Sequence, residues 1–138
     1  MNAQPPKAVP ISGIDVLLAA VKYNEQGLIP AAVQDRKTKE VLTICYFNEA
    51  ALRKSLETGT VHLFRRSQNR IMQKGETSGH IQAIREVAVD CEGKSLLLVV
   101  DQHVAVCHQG YFSCYFRKLS LGRLIIAGKR VFDPKEVY

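Results

Sequence analysis

Most of the chain alternates apolar and polar residues over short stretches, and two stretches shift to a helical period. "IDVLLAAVKYN" places Ile14, Leu17, Leu18 and Val21 along one helical face. "LIPAAVQD" and "EVLTICYF" are rich in β-branched and aromatic residues and read as two strands around the turn "DRKTKE". "NEAALRKSLETG" is the clearest helix, with Asn48 as N-cap and Gly59 where a left-handed C-cap belongs. "TVHLFRR" and "RIMQK" follow as strands about "SQN", and "KGETSGH" is a loop. "IQAIREVAVD" reads as a half-buried strand, "SLLLVVDQ" as a buried one and "HVAVC" as another. "LIIAGKRVFDPKEVY" reads as a strand and then a short turn or helix. Short strands, tight turns and two or three short helices predict an α+β domain built on a mostly antiparallel, barrel-like β-sheet.

At 138 residues the expectation is one domain, residues 1–138, with residues 1–12 as a loose proline-containing lead-in. Such a chain buries a core without disulfides or metals as staples. The net charge of +6 suits a phosphorylated small molecule as well as nucleic acid. The basic residues are dispersed and no aromatic RNA-binding signature is present, which argues against nucleic acid. "SLLLVV" is the longest apolar run and is too short to cross a bilayer. The N-terminus lacks the apolar segment of an export signal, so a cytoplasmic protein with reduced thiols is expected.

Cys91, Cys107 and Cys114 stand 16 and 7 positions apart. That is no zinc-finger spacing, but three thiolates is the ligand count of a catalytic zinc with an open fourth position. Spacing alone leaves zinc ligation and core packing both open. Cys45, inside a strand, reads as core. In an extended strand Asp90 and Glu92 share a face opposite Cys91 and offer oxygen ligands to a hard cation. The alternative is a solvated hairpin turn, "DCEGK".

"GLIPAAVQD", "YFNEAALRKSLETGTVHLF", "KGETSGH", "DCEG", "CHQGYFSC" and "VFDPKEVY" occur here in one order. In these motifs, from about residue 26 to the end, the chain resembles phosphoribosyl-AMP cyclohydrolase of histidine biosynthesis. The resemblance implies hydrolytic opening of an adenine ring at the N1–C6 bond. It also implies a metal-linked homodimer in which Cys91, Cys107 and Cys114, drawn from two subunits, hold zinc. The family's magnesium motif lands on Asp90, Glu92 and Lys94. Zinc lowers the pKa of bound water. His108 is then the first candidate for proton transfer to the departing N1, with Glu76 and His80 next and His62 as a weaker one. Lys74, Gly75, Thr77, Ser78 and Gly79 offer charge, hydroxyls and close backbone approach to a phosphate, and Arg65, Arg66 and Arg70 add positive field.

The chain departs from the family pattern in two places. Leu63, Arg65, Gln68 and Met72 stand where the family has an aromatic residue, serine, arginine and tryptophan, in the expected substrate wall. Lys94 puts an ammonium where a third carboxylate is expected. A protonated lysine repels a metal. The expectation is a weakened magnesium site in which Lys94 pairs with Asp90 and Glu92. The alternative function is a non-catalytic or repurposed member with structural zinc that binds a phosphorylated nucleotide.

Overall fold

A computed structural model of the chain describes residues 4–138. The core is a four-stranded sheet ordered β2-β1-β6-β5, where β1 spans Ile29–Asp35, β2 Val41–Phe47, β5 Gln82–Val89 and β6 Leu96–Gln102. β1 alternates buried and half-buried positions, so Ile29, Ala31 and Val33 enter the core from one face. β1 runs antiparallel to β2 and parallel to β6. That parallel pair is the exception to the antiparallel pattern, and it needs a long crossover. The crossover carries α2 (Glu49–Thr58) and the hairpin β3–β4 (His62–Arg65 and Arg70–Gln73). The sheet does not close on itself; β2 and β5 are its edges, so the barrel-like expectation gives way to an open sheet.

α2 forms where the capping residues demand. The Asn48 side chain accepts from the Ala51 amide at 2.8 Å, and Gly59 closes the helix at φ 81°. Its apolar face carries Ala51, Leu52 and Leu56, all fully buried. They join Phe47, Val61, Ile84, Leu98 and Val100 in one core cluster. α1 (Ile14–Ala20) is shorter than its apolar pattern implied. Val21 turns extended and buried, and the Lys22 amide donates to the Gly93 carbonyl at 2.8 Å. The first three residues of the lead-in lie outside the described residues. From Gln4 the chain has no regular element, yet the Ile11 amide bonds the Leu56 carbonyl, so the segment is docked on α2.

Two further expectations change. "HVAVC" is no strand: Val104 sits at φ 59°, and the Val106 and Cys107 amides donate to the Phe112 and Tyr111 carbonyls. Its apolar residues pack inward while its donors close a loop rather than a ladder. Before the expected terminal strand β8 (Arg123–Ile126) lies an unforeseen partner, β7 (Arg117–Ser120). Leu121 and Gly122, both at positive φ, join them in a two-residue turn. α3 (Pro134–Val137) starts from the Asp133 cap. No helix among the described residues is long and apolar enough to cross a membrane.

The register of β5 on β6 shifts between Ile84 and Glu86, leaving Arg85 as the bulged residue. Its guanidinium reaches Asp101 at 2.7 Å, and Arg36, just after β1, reaches the same carboxylate at 2.8 Å. Asp101 therefore links three strands. Burial raises its carboxyl pKa, but the two guanidiniums outweigh burial and hold it below the ordinary value. A depressed carboxyl contributes stability above the unfolded pKa, about 3.9, and loses it as pH falls through the lower folded value. Urea denaturation should therefore show wild type losing stability below about pH 4 more steeply than Asp101→Asn. Equal acid slopes for the two proteins would contradict this account.

Candidate functional site

β2 is a sheet edge, and an edge leaves backbone groups free. The register of β1 on β2 shifts at Leu42, which faces no partner. The Cys114 amide donates to the Leu42 carbonyl at 2.8 Å, and the Ser113 hydroxyl donates to the Val41 carbonyl at 2.7 Å. These bonds pin the loop "CHQGYFSC" to the edge. The same loop closes on itself, with the Gly110 amide bonded to the Cys107 carbonyl at 3.0 Å. Gly110 sits at φ 100°, and a Cβ there would run into the Phe132 carbonyl. The terminal motif "VFDPKEVY" thus packs on the cysteine loop.

The loop sets two of the three expected zinc ligands side by side. Cys107 is buried and Cys114 half-buried. Burial raises the Cys114 thiol pKa, opposed by the Thr43 hydroxyl beside it, and the Cys107 thiol neighbours it as well. The Gln109 amide points at the Cys107 sulfur at 3.4 Å. Two neighbouring soft sulfurs, one with an amide aimed at it, fit a thiophilic metal. Cys91 is exposed on the β5–β6 turn. Among the described residues no three His, Cys, Asp or Glu side chains converge as a metal site, so one chain alone does not gather all three thiols. Cys45 behaves as core, its thiol pushed up to about 12 by burial.

Thr43 leads from the thiols into a cavity of about 650 Å³. Arg65, Arg66, Lys74, Tyr46 and Gln82 are among its lining residues, and the lining includes no carboxylate. The Arg66 guanidinium lies 4.0 Å over the Tyr46 ring. With three cations and no anion, the cavity favours a phosphorylated ligand. The altered wall residue Leu63 lines it, while Met72 accepts a weak contact from Arg65 at 3.6 Å.

Lys74 also borders a smaller cavity of about 70 Å³, formed with Gly75, Glu76, Thr77, Ser78 and His80. Gly75 is at φ 92°, and a Cβ would meet the His80 carbonyl carbon at 2.7 Å. That glycine serves the loop's own packing rather than close approach to a phosphate. Gly79, also at positive φ, meets nothing. Ser78 accepts from the His80 amide at 3.1 Å, while Thr77 is exposed. Glu76 pairs with Arg70 at 2.7 Å, which lowers its pKa and keeps it ionised. His80 is buried edge-on to Phe132, 4.9 Å between centroids, and its Nδ1 has no partner among the described residues. Burial first, then His103, lowers its pKa and keeps the ring neutral. His62 bonds the Thr60 carbonyl, a structural position. His108 is exposed on the turn after Cys107.

The acidic stretch is the hairpin turn offered as the alternative reading, so the strand alternation over residues 90–94 does not apply. Asp90 Oδ1 accepts from the Glu92 and Lys94 amides at 3.0 and 2.9 Å, and Oδ2 accepts from Ser95 at 2.7 Å. These bonds hold the Asp90 carboxyl below its usual range, the Ser95 hydroxyl foremost. Lys94 reaches Asp90 through its backbone; no ion pair among the described residues involves its ammonium. Gly93, at φ 75°, lies against the Ala20 carbonyl, where any Cβ would collide. Thr43, Ser113 and Gln82 are site residues the sequence did not expose. They are single polar residues within apolar runs; the cavity gathers Thr43 and Gln82, and the β2 edge holds Ser113.

The sequence profile of the phosphoribosyl-AMP cyclohydrolase family matches residues 43–116. The chain is 46% identical over 122 residues to a phosphoribosyl-AMP cyclohydrolase from Pelotomaculum thermopropionicum, covering 88% of this chain and 95% of that protein. It is 47% identical over 121 residues to one from Methanosarcina acetivorans, covering 88% and 98%. It is also 46% identical over 122 residues to the histidine biosynthesis bifunctional protein HisIE of Thermoanaerobacter pseudethanolicus, covering 88% of this chain. The chain spans 56% of that bifunctional protein's length.

The Ser113 tether predicts its own disruption. Ser113→Ala deletes the bond to Val41 and the one accepted from the Tyr115 amide at 2.9 Å. Denaturant titration should show a loss of about 1–3 kcal/mol. Cys114 should react faster with a thiol reagent; an unchanged rate would mean the tether does not position the thiol.

Proposed function

The chain belongs to the phosphoribosyl-AMP cyclohydrolase family, and on that premise we propose that it hydrolyses the N1–C6 bond of phosphoribosyl-AMP with zinc held between two subunits. It is a hydrolase of histidine biosynthesis acting on a cyclic amidine. The observation that carries the finer reading is that the Cys107 and Cys114 thiols neighbour each other beside a cavity whose charged lining residues are Arg65, Arg66 and Lys74.

Cys107 and Cys114 would hold the zinc together with Cys91 of the partner subunit. Cys91 is exposed and does not converge with the other two in one chain, which supports this division. The hairpin β7–β8 supports a dimer too: Leu119, Leu124 and Ile126 are 78%, 63% and 61% exposed, an apolar surface of the kind that partners cover. Zinc bound by these thiolates supplies Lewis-acid activation of water near neutral pH. The rest falls to the chain's own groups. Arg65, Arg66 and Lys74 hold the phosphates and orient the base in the cavity. His108, exposed beside Cys107, delivers a proton to N1 as it departs. His80, neutral and buried, shapes the KGETSG cavity. Glu76 stays ionised against Arg70 and holds that loop.

Asp90, Glu92 and Lys94 are a poor magnesium site. Both Asp90 oxygens already serve the turn, and the third position is cationic. No step is assigned to magnesium.

Metal analysis should find about one zinc per subunit, and zinc-loaded protein should turn over phosphoribosyl-AMP. Cys91→Ser and Cys107→Ser should each be inactive alone. Their mixture should recover about one quarter of wild-type turnover, because half of randomly paired dimers regain one complete site. No recovery on mixing would rule out the shared site. Added magnesium should stimulate only weakly, and strong activation at micromolar concentrations would overturn the assignment of Asp90 to the turn.

A further inference from the structure

Gln82 begins β5 at the floor of the large cavity and is 1% exposed. A fully buried glutamine must satisfy four hydrogen-bonding positions, so its partners fix which way its amide faces. The chain of bonds can be read outward from two backbone carbonyls. Those of His80 and His103 only accept, so the Gln102 nitrogen donates to both, at 3.2 and 3.1 Å. Both its hydrogens are then used. Gln102 Oε1 is left as an acceptor, and it takes a hydrogen from Gln82 Nε2 at 2.8 Å. Turning the Gln82 amide over would set two carbonyl oxygens against each other. Gln82 Oε1 is therefore locked away from Gln102 and has no protein donor among the described residues.

We propose that Gln82 Oε1 accepts a hydrogen bond from the exocyclic amino group of the substrate's adenine ring. The assignment rests on phosphoribosyl-AMP being the substrate. On that base, alkylated at N1, N3 and N7 only accept, and the amine on C6 is the sole strong donor. C6 is also the carbon attacked. Thr43 lines the cavity and its hydroxyl neighbours the Cys114 thiol, so a base held by an acceptor in this cavity keeps C6 near the thiols. Ribose hydroxyls both donate and accept and do not require a locked acceptor. A 6-oxo base would place oxygen against oxygen and be rejected.

Gln82→Met keeps the volume and removes the acceptor. It should lower kcat/KM for phosphoribosyl-AMP roughly 10- to 100-fold. Calorimetry with AMP and IMP as probes should show wild type preferring AMP and Gln82→Met losing the preference. Gln102→Met leaves Gln82 in place with a free amide and should lose part of the preference, which covers failure of the first variant to fold. An AMP preference unchanged in either folded variant would overturn the assignment. The calorimetry needs no turnover: AMP preference lost in Gln82→Met supports the assignment even if phosphoribosyl-AMP is not hydrolysed, an outcome that would sink only the proposed reaction.

Discussion

Two hydrogen bonds on the outer edge of β2 hold the site together. The Leu42 carbonyl takes the Cys114 amide, and the Val41 carbonyl takes the Ser113 hydroxyl. An unpaired edge is ordinarily a liability in a β-sheet. Here the bulge at Leu42 turns its free carbonyl into the anchor for a loop that has no regular structure of its own. Cys114 then lies beside Thr43, and Thr43 opens into the cationic cavity. The C-terminal segment closes on the same loop from behind, through Gly110 and Phe132, and reaches His80 with an aromatic edge.

The cavity wall presents Arg65, Arg66 and Lys74 without a balancing carboxylate. The carboxylates that might have neutralised them are engaged elsewhere: Glu76 with Arg70, Asp101 with Arg36 and Arg85, and Asp90 within its own turn. An ammonium at Lys94 does not disturb Asp90, because the turn recruits its amide rather than its side chain. The positive field is thus left available for phosphates. On the buried polar floor, Gln82 donates inward to Gln102.

The local elements were legible because short-range chemistry determines them. Asn48 and Gly59 bound α2 as their capping chemistry requires, and β5 alternates in burial from Arg85 onward. "KGETSGH" forms the loop its glycines and polar residues predict. What failed was extrapolation of a local period beyond local forces. "HVAVC" has strand-like composition, but the amides of Val106 and Cys107 are taken by Tyr111 and Phe112. Of the two readings of "DCEGK", the hairpin turn holds and the strand alternation does not, because Asp90 gathers the amides that follow it. β7 was overlooked because its turn rests on Leu121 in a left-handed conformation, which leucine seldom adopts.

The sequence by itself determined the α+β composition, the caps of α2 and the family, since each depends on residue type and near neighbours. The tertiary structure alone decided that Cys107 and Cys114 meet while Cys91 stays outside. It also decided that the sheet remains open and that the Gln82 amide is oriented by Gln102. Those outcomes depend on which backbone groups are left unpaired after β1 joins β6 across a long crossover. Long-range pairing of that kind leaves no periodic trace in the chain.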